Sequence, residues 1–430
     1  MGWIIILIAA ALGLYMAWNI GANDVANSMA DAVGSKSISI KGAIIAAGIC
    51  EFAGAVLVGT HVTDTVRKGI VSPDALAGAP AMLALGMACA LLAAALWLNV
   101  ATWLGMPVST THSIVGAVTG FGIVAAGWSA VHWGKMAQIV ASWFISPLVG
   151  GLLAFLLFKV ISRTILRKRK PIPAARALTP IIVFVVAMVV TLAIVYKGLK
   201  HIVGKSAWLS GSTPILISLA VAILATLVAR ILVARFLKED GDKELEEQLE
   251  QVERVFAPLV IITSCCVAFA HGSNDVANAV GPLAAVAEIV RSGKVTMQVP
   301  VPTWILALGG GGITLGLAMY GYRVMTTVGE KITQITPSRG VAADVAATIT
   351  VLACSRLAIP VSTTHTLVGA ILGVGLARGL GAVNRDVTRN IFGSWLLTVP
   401  AAAGLSVVLF LGSRFFLLDA VKKLIEITPA

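Results

Sequence analysis

Two short polar motifs each occur twice in this chain, in the same order and at nearly the same distance. Gly21-Ala-Asn23-Asp24-Val-Ala-Asn27 recurs as Gly272-Ser-Asn274-Asp275-Val-Ala-Asn278. Pro107-Val-Ser109-Thr110-Thr111-His112 recurs as Pro360-Val-Ser362-Thr363-Thr364-His365. Ser109 follows Asp24 by 85 positions, and Ser362 follows Asp275 by 87. Paired recurrence of this kind marks an internal duplication. The chain is therefore expected to fold as two related halves, residues 1–158 and 255–412. Residues 159–254 are inserted between them, and 413–430 remain as a C-terminal amphipathic segment.

The medium in which those halves fold follows from the residues between the motifs. Apolar runs with few charges cover about 3–20, 42–60, 79–105, 113–127, 136–158, 178–197, 213–236, 255–271, 302–322, 340–360, 366–377 and 391–412. A membrane-spanning helix uses about 20 apolar residues, so the chain supplies about a dozen, some short enough to be half-helices. Only 12% of residues are charged, against roughly 25% in a soluble domain. Such a chain cannot cover a water-facing surface, which excludes a soluble enzyme. The 42 glycines and the 6% aromatic content favour helices packed through small residues over a β-barrel. The apolar start, Met1-Gly2-Trp3-Ile4, lacks a basic n-region and runs directly into a polar motif. It is read as a first spanning segment and not as a cleaved signal.

Lys plus Arg number 32 and Asp plus Glu 20, for a net charge of +12. With no basic–aromatic surface this does not indicate nucleic acid; it reflects the Lys/Arg content of cytoplasmic loops. Lys159, Arg163, Arg167, Lys168, Arg169, Lys170 and Arg176 form the strongest cluster, so that loop is expected in the cytoplasm. Residues 237–254 are read as a short solvated helix, returned to the same side by the two apolar runs between. If the halves fold alike with an odd number of crossings, they are antiparallel and the N-terminus lies outside. Inverted repeats of this kind are characteristic of secondary transporters, which bind substrate near the midplane. The five cysteines lie in apolar runs without metal-site spacing and are read as buried hydrophobes.

Asp24 and Asp275 sit where the bilayer makes a charge costly, so each needs a compensating partner. Carboxylate, amide and freed carbonyl oxygens together suit a hard cation. Asn23, Asp24, Asn27, Asn274, Asp275 and Asn278 are therefore candidate sodium ligands. A polar helix break bonded within the bundle is the competing reading. In the second motif proline ends one helix and Ser or Thr caps the next. Hydroxyls and unpaired N–H groups then gather at a helix N-terminus, which attracts anions. Ser109, Thr110, Thr111, Ser362, Thr363 and Thr364 are candidates for a tetrahedral oxyanion; simple capping of a re-entrant hairpin is the alternative. Glu51 and Asp344 lie in apolar stretches and are candidates for an additional cation site or a gate. His112 and His365 are read as neutral residues donating to backbone carbonyls, with proton coupling as the alternative. His271 has Ile20 as its counterpart and is left out of the site. Arg356 either neutralises Asp344 or contacts the anion.

At these four motifs the chain resembles the inorganic phosphate transporter (PiT) family. Gly21-Ala-Asn23-Asp24-Val-Ala-Asn27-Ser28 matches that family's hallmark, as do its second copy and both Pro-Val-Ser-Thr-Thr-His segments. The resemblance covers nearly the whole chain. It places Glu51 at an acidic transport position and Asp344 at a second one where many relatives carry Glu. It implies an all-α polytopic membrane protein of about twelve transmembrane helices in two inverted repeats, each with a re-entrant helical hairpin. The central cytoplasmic insert is short beside that of animal relatives. The implied activity is sodium- or proton-coupled phosphate symport.

Taken together, the expected function is sodium-coupled uptake of inorganic phosphate by alternating access in the cytoplasmic membrane. Proton coupling and sulfate are the alternatives within the same fold. No nucleotide-binding motif is present. A Ser–His hydrolase is disfavoured because both groups would share one helix turn without an orienting third residue. A channel suits paired ion and anion sites less well. No resident cofactor is expected; sodium is co-transported, the bilayer is the surrounding partner, and a second copy of the chain is a candidate partner.

Overall fold

The computed structural model describes residues 2–59, 70–195, 212–237, 244–295, 301–356 and 361–426. Among them twelve helices have 16 residues or more, one for each apolar run. They are α1 (Trp3–Ile20), α2 (Ile40–Val58), α3 (Pro80–Trp103), α4 (Thr110–Ala126), α5 (Trp133–Ile161), α6 (Pro171–Ile194), α7 (Thr213–Phe236), α8 (Leu245–Ser292), α9 (Thr303–Tyr320), α10 (Pro337–Arg356), α11 (Thr363–Arg378) and α12 (Arg385–Glu426). No named strand occurs among the described residues; Val71 and Val131 form one isolated bridge. Nine of the helices are long and apolar enough to cross a membrane, so the chain is a multi-pass membrane protein. The other three are α4, α10 and α11. The first and last have 17 and 16 residues, and α10 carries Arg339 and Asp344.

Local sequence explains the helix limits. Ser39, Ser109 and Ser362 cap α2, α4 and α11, each hydroxyl accepting a backbone N–H three residues on. Proline opens α3, α6 and α10, where its missing N–H costs nothing. Gly127 and Gly379 end α4 and α11 at φ +88° and +129°, a backbone region closed to residues with a β-carbon.

Packing between the halves is reciprocal. Helix α4 lies on α12, and α11 lies on α5. Likewise α3 packs on α12 as α10 does on α5, and α1 packs on α9 as α8 does on α2. Each half thus seats its Pro-Val-Ser-Thr-Thr-His helix on the last helix of the other. The contact is made by glycines four apart. A β-carbon at Gly116 or Gly120 would run into the backbone of Val399 or Ala403, and one at Gly369 or Gly373 into that of Pro147 or Gly151. Small residues at this spacing let helix backbones approach closely in lipid.

The expected boundaries at 158, 254 and 412 fall inside α5, α8 and α12. The charged stretch is not a separate short helix, because residues 245–254 form the first turns of α8; 238–243 lie outside the described residues. With 48 residues, α8 is about 72 Å long at 1.5 Å per residue, far beyond the roughly 30 Å hydrocarbon core. The segment at 414–426 likewise continues α12 without a break. Apolar side chains such as Leu148, Leu224, Ile231 and Val408 are exposed on the outer helices, as suits a lipid-facing surface.

Candidate functional site

The N-termini of α4 and α11 meet the two Asn-Asp motifs in the buried centre of the bundle. The first motif forms a π-helical turn, Gly21–Val25, followed by short helical pieces at Ala26–Ser28 and Ala30–Gly34. The second stays within continuous α8. Asp24 Oδ2 accepts from Thr110 Oγ1 at 2.9 Å and Thr110 N at 3.5 Å. Asp24 Oδ1 accepts from Asn27 at 3.3 Å and from Thr364 Oγ1 of the other half. Asp275 Oδ2 accepts from Thr363 Oγ1 at 3.3 Å, and Oδ1 from Asn274 at 2.8 Å. Asn278 Nδ2 donates across the halves to Thr110 Oγ1 at 3.2 Å and Thr111 Oγ1 at 3.1 Å. Hydroxyls and carboxylates from both copies therefore share one locus.

His271, excluded by the sequence reading, lies in the middle of this locus. Its Nε2 is 2.7 Å from Asp275 Oδ2 and 3.5 Å from Asp24 Oδ2. Its Nδ1 lies 3.0 and 3.1 Å from the two oxygens of Glu51. All four side chains are buried, Glu51 completely. One ligand atom each from Asp24, His271 and Asp275 falls within 4.8 Å of the others, a spacing that can hold a cation. Three carboxylates around one imidazole leave negative charge in excess, which in a low-dielectric interior draws in cations or protons. The intramembrane-charge rule that singled out Glu51 applies equally to a histidine in Ala268-Phe269-Ala270-His271; reliance on the duplication obscured it.

The remaining candidates divide. Asn23 is a brace: its amide donates to Thr102 Oγ1 and the Met106 carbonyl and accepts from Val108 N, each at 3.0 Å. It fixes the turn that leads into Ser109. Asn27 Oδ1 is buried without a donor among the described residues. Ser109 and Ser362 each accept a backbone N–H as caps, which leaves the O–H of each as a donor. His112 and His365 stack edge-on at 4.8 Å, and His365 lies flat on Trp395 at 3.7 Å. His365 meets the Trp143 backbone in a hydrogen bond, in keeping with the expected structural role, while His112 Nδ1 lacks a hydrogen-bond partner among the described residues.

Asp344 belongs to a second cluster away from Glu51. Its Oδ2 accepts from Thr263 at 2.7 Å and Ser264 at 2.8 Å, and its carboxyl faces that of Asp31. Both acids are fully buried, and the two carboxyls are within hydrogen-bonding reach of each other. Two such carboxylates cannot both stay ionised without a cation. Asp31 follows the first motif closely but has Pro282 as its repeat counterpart, so the duplication does not mark it. The Arg356 side chain lies outside the described residues.

Comparison with known proteins gives the family. The profile of the Phosphate transporter family matches residues 20–406. A relative from Thermococcus kodakarensis, named as a phosphate permease, is 47% identical over 408 residues, covering 95% of this chain and 97% of that one. The chloroplastic inorganic phosphate transporter 2-1 of Arabidopsis thaliana is 42% identical over 422 residues, covering 92% of this chain and 70% of that protein. A solved structure titled as the sodium-dependent phosphate transporter superposes with a TM-score of 0.85 at 43% identity, covering 96% of this chain and 99% of the other.

Proposed function

The chain belongs to the phosphate transporter family, and from that premise we propose that it is a sodium-coupled symporter of inorganic phosphate, working by alternating access in the cytoplasmic membrane. One observation carries the reading: threonine hydroxyls at two helix N-termini, one from each half, converge on Asp24 and Asp275. Here the hydroxyls donate to the protein's own carboxylates. A sodium ion at Asp24 or Asp275, with Asn27 Oδ1 as a further oxygen, neutralises the carboxylate and releases the hydroxyls. Thr110, Thr111, Thr363 and Thr364 then turn to phosphate, whose oxygens need such donors. Phosphate and sodium offset each other's charge, so their binding is mutually favourable and reciprocal. Sodium is cargo in this scheme, and no resident cofactor takes part.

The reciprocal packing supports two inverted repeats, with α3–α4 and α10–α11 as re-entrant hairpins. Alternating access then moves the hairpin helices against α5 and α12 along their glycine contacts. Asp31 and Asp344, with the Thr263 and Ser264 hydroxyls, form the additional cation site. Glu51 serves the central one through His271, and a homodimer is the expected assembly.

A second reading, proton coupling, is favoured by the His271–Glu51 contact, which offers a titratable pair at the centre. The purified protein in liposomes separates them. Phosphate uptake is measured with a sodium gradient at symmetric pH and with a pH gradient in the absence of sodium. Sodium coupling requires accumulation in the first case alone; accumulation in the second alone replaces it by proton symport.

A further inference from the structure

A second charged cavity lies far from the centre, where the end of α5 meets the outer ends of α10 and α11. It encloses about 390 Å³ and is bordered by Lys159, Arg163, Arg167, Arg339, Arg378 and Glu253. Five cations thus face one carboxylate, and that carboxylate is already engaged. Glu253 accepts from Thr336 Oγ1 at 2.9 Å, Ser338 Oγ at 2.7 Å and Ser338 N at 2.8 Å, which caps the start of α10. No acid pairs with any of the five cations among the described residues.

Two details separate this cavity from an ordinary basic surface. Arg339 is half-buried over the Phe158 ring, with the guanidinium 5.7 Å from its centre, and its buried Nε has no acceptor among the described residues. Its Nη1 donates to the Gln334 carbonyl at 2.9 Å, so Nε is the buried donor left for a multi-oxygen anion. The wall beside it is apolar: Phe158, Leu166 and Leu249 border the cavity. One turn back along α5, Leu156 and Val160 are exposed on the outer surface. A charged socket opening onto a greasy flank matches an amphiphile better than a free ion. Basic pockets between membrane helices on the cytoplasmic side attract acidic headgroups in this way.

We propose that this cavity binds a phosphate-bearing anion, the headgroup of an anionic phospholipid, which ties the end of α5 to the two outer ends of the α10–α11 pair. The site is distinct from the central one and does not depend on the coupling ion. Its occupant holds Arg339 at the start of α10 and Arg378 at the end of α11 against Lys159 and Arg163. It thereby restrains the helix pair that carries Asp344 and Thr363.

The test uses delipidated full-length protein in detergent, titrated with phosphatidylglycerol or phosphatidylcholine and read by native mass spectrometry. The variant R163Q/R167Q/R378Q removes exposed charges only, so it folds; K168Q/R169Q/K170Q removes three charges from the same loop outside the cavity. Phosphatidylglycerol affinity should fall by about ten- to hundredfold in the first and by less than about threefold in the second. Phosphatidylcholine binding should be unchanged in both. Equal losses in the two variants, or no preference for phosphatidylglycerol in the parent protein, overturn the site. Inorganic phosphate should raise the melting temperature of parent and variant equally, through the central site. Phosphate stabilisation that vanishes in R163Q/R167Q/R378Q would assign the cavity to soluble phosphate and overturn the lipid. Phosphate uptake by the variant in phosphatidylcholine vesicles reports on the central site separately.

Discussion

The two copies of the Asn-Asp motif have nearly the same residues and different surroundings. Gly21–Val25 is a π-helical turn that separates α1 from the short helical pieces after it, whereas Gly272–Asn278 runs on inside α8. A π turn leaves backbone groups out of register, so the first copy can offer oxygens that the second cannot. The charges differ too. Gly272 lies against the main chain of Glu51, and Gly21 against that of Ile313; by this reciprocity Ile313 is the counterpart of Glu51, as Ile20 is of His271. One side of the pseudo-symmetric centre thus carries an acid–imidazole pair, where the other carries two buried isoleucines. Duplication kept the hydroxyls and aspartates that meet at the centre and let their supports diverge. The two aspartates are therefore unequal in surrounding charge and in backbone rigidity.

The contrast breaks most sharply at His271. His271→Leu leaves Asp24, Asp275 and Glu51 without their shared base, so uptake should be lost and stability should fall by about 3–5 kcal/mol. Ile20→Leu, the matched change on the other side, should cost less than about 1.5 kcal/mol. Glu51→Leu/His271→Leu rebuilds the apolar arrangement of the isoleucines. It should recover stability without recovering uptake; full uptake by the double variant would reduce the pair to packing.

Next in size are the aspartates. Asp24→Asn and Asp275→Asn should each cut sodium-activated uptake by at least about tenfold, a loss of about 1.4 kcal/mol or more in cation binding. Asp24→Asn should do more, because Asp24 collects donors from both halves. Sodium titrations of uptake check this, and unchanged activation in both variants would remove the aspartates from the cation sites.

Gly120→Ala and Gly373→Ala sharpen the symmetry itself. Each adds a methyl against the backbone of the opposite half, so each should destabilise by about 1–3 kcal/mol, and by similar amounts. Melting curves that differ by more than about 2 kcal/mol would mean that the reciprocal seats are not equivalent. The smallest effects belong to single hydroxyls. Thr110→Ala should weaken phosphate binding by about 1–3 kcal/mol. Thr363→Ala should act less, since Thr363 is only half-buried, while the double variant should abolish uptake. Equilibrium binding of labelled phosphate reads all three.

Much of this site was legible in the amino-acid sequence. Asp24, Asp275 and the threonines stand out because they are duplicated, and duplication is visible in a single sequence. What was misread was unduplicated or depended on a partner far along the chain. Asn23, a candidate ligand in the sequence, also braces Thr102, Met106 and Val108, because the turn before Ser109 needs its backbone groups satisfied. Asp344 was grouped with Glu51 although it faces Asp31.

The membrane medium, the helical class and one long helix for each apolar run were readable along the chain, because hydropathy and helix period are properties of local sequence. The caps at Ser109 and Ser362 were local for the same reason. It took the three-dimensional packing to join His271 to Glu51 and both aspartates, to bring Asp31 to Asp344, and to set α4 on α12 and α11 on α5. These are contacts between helices separated by dozens to hundreds of residues. They are set by which glycine faces let backbones close together, and a one-dimensional pattern does not state which faces meet.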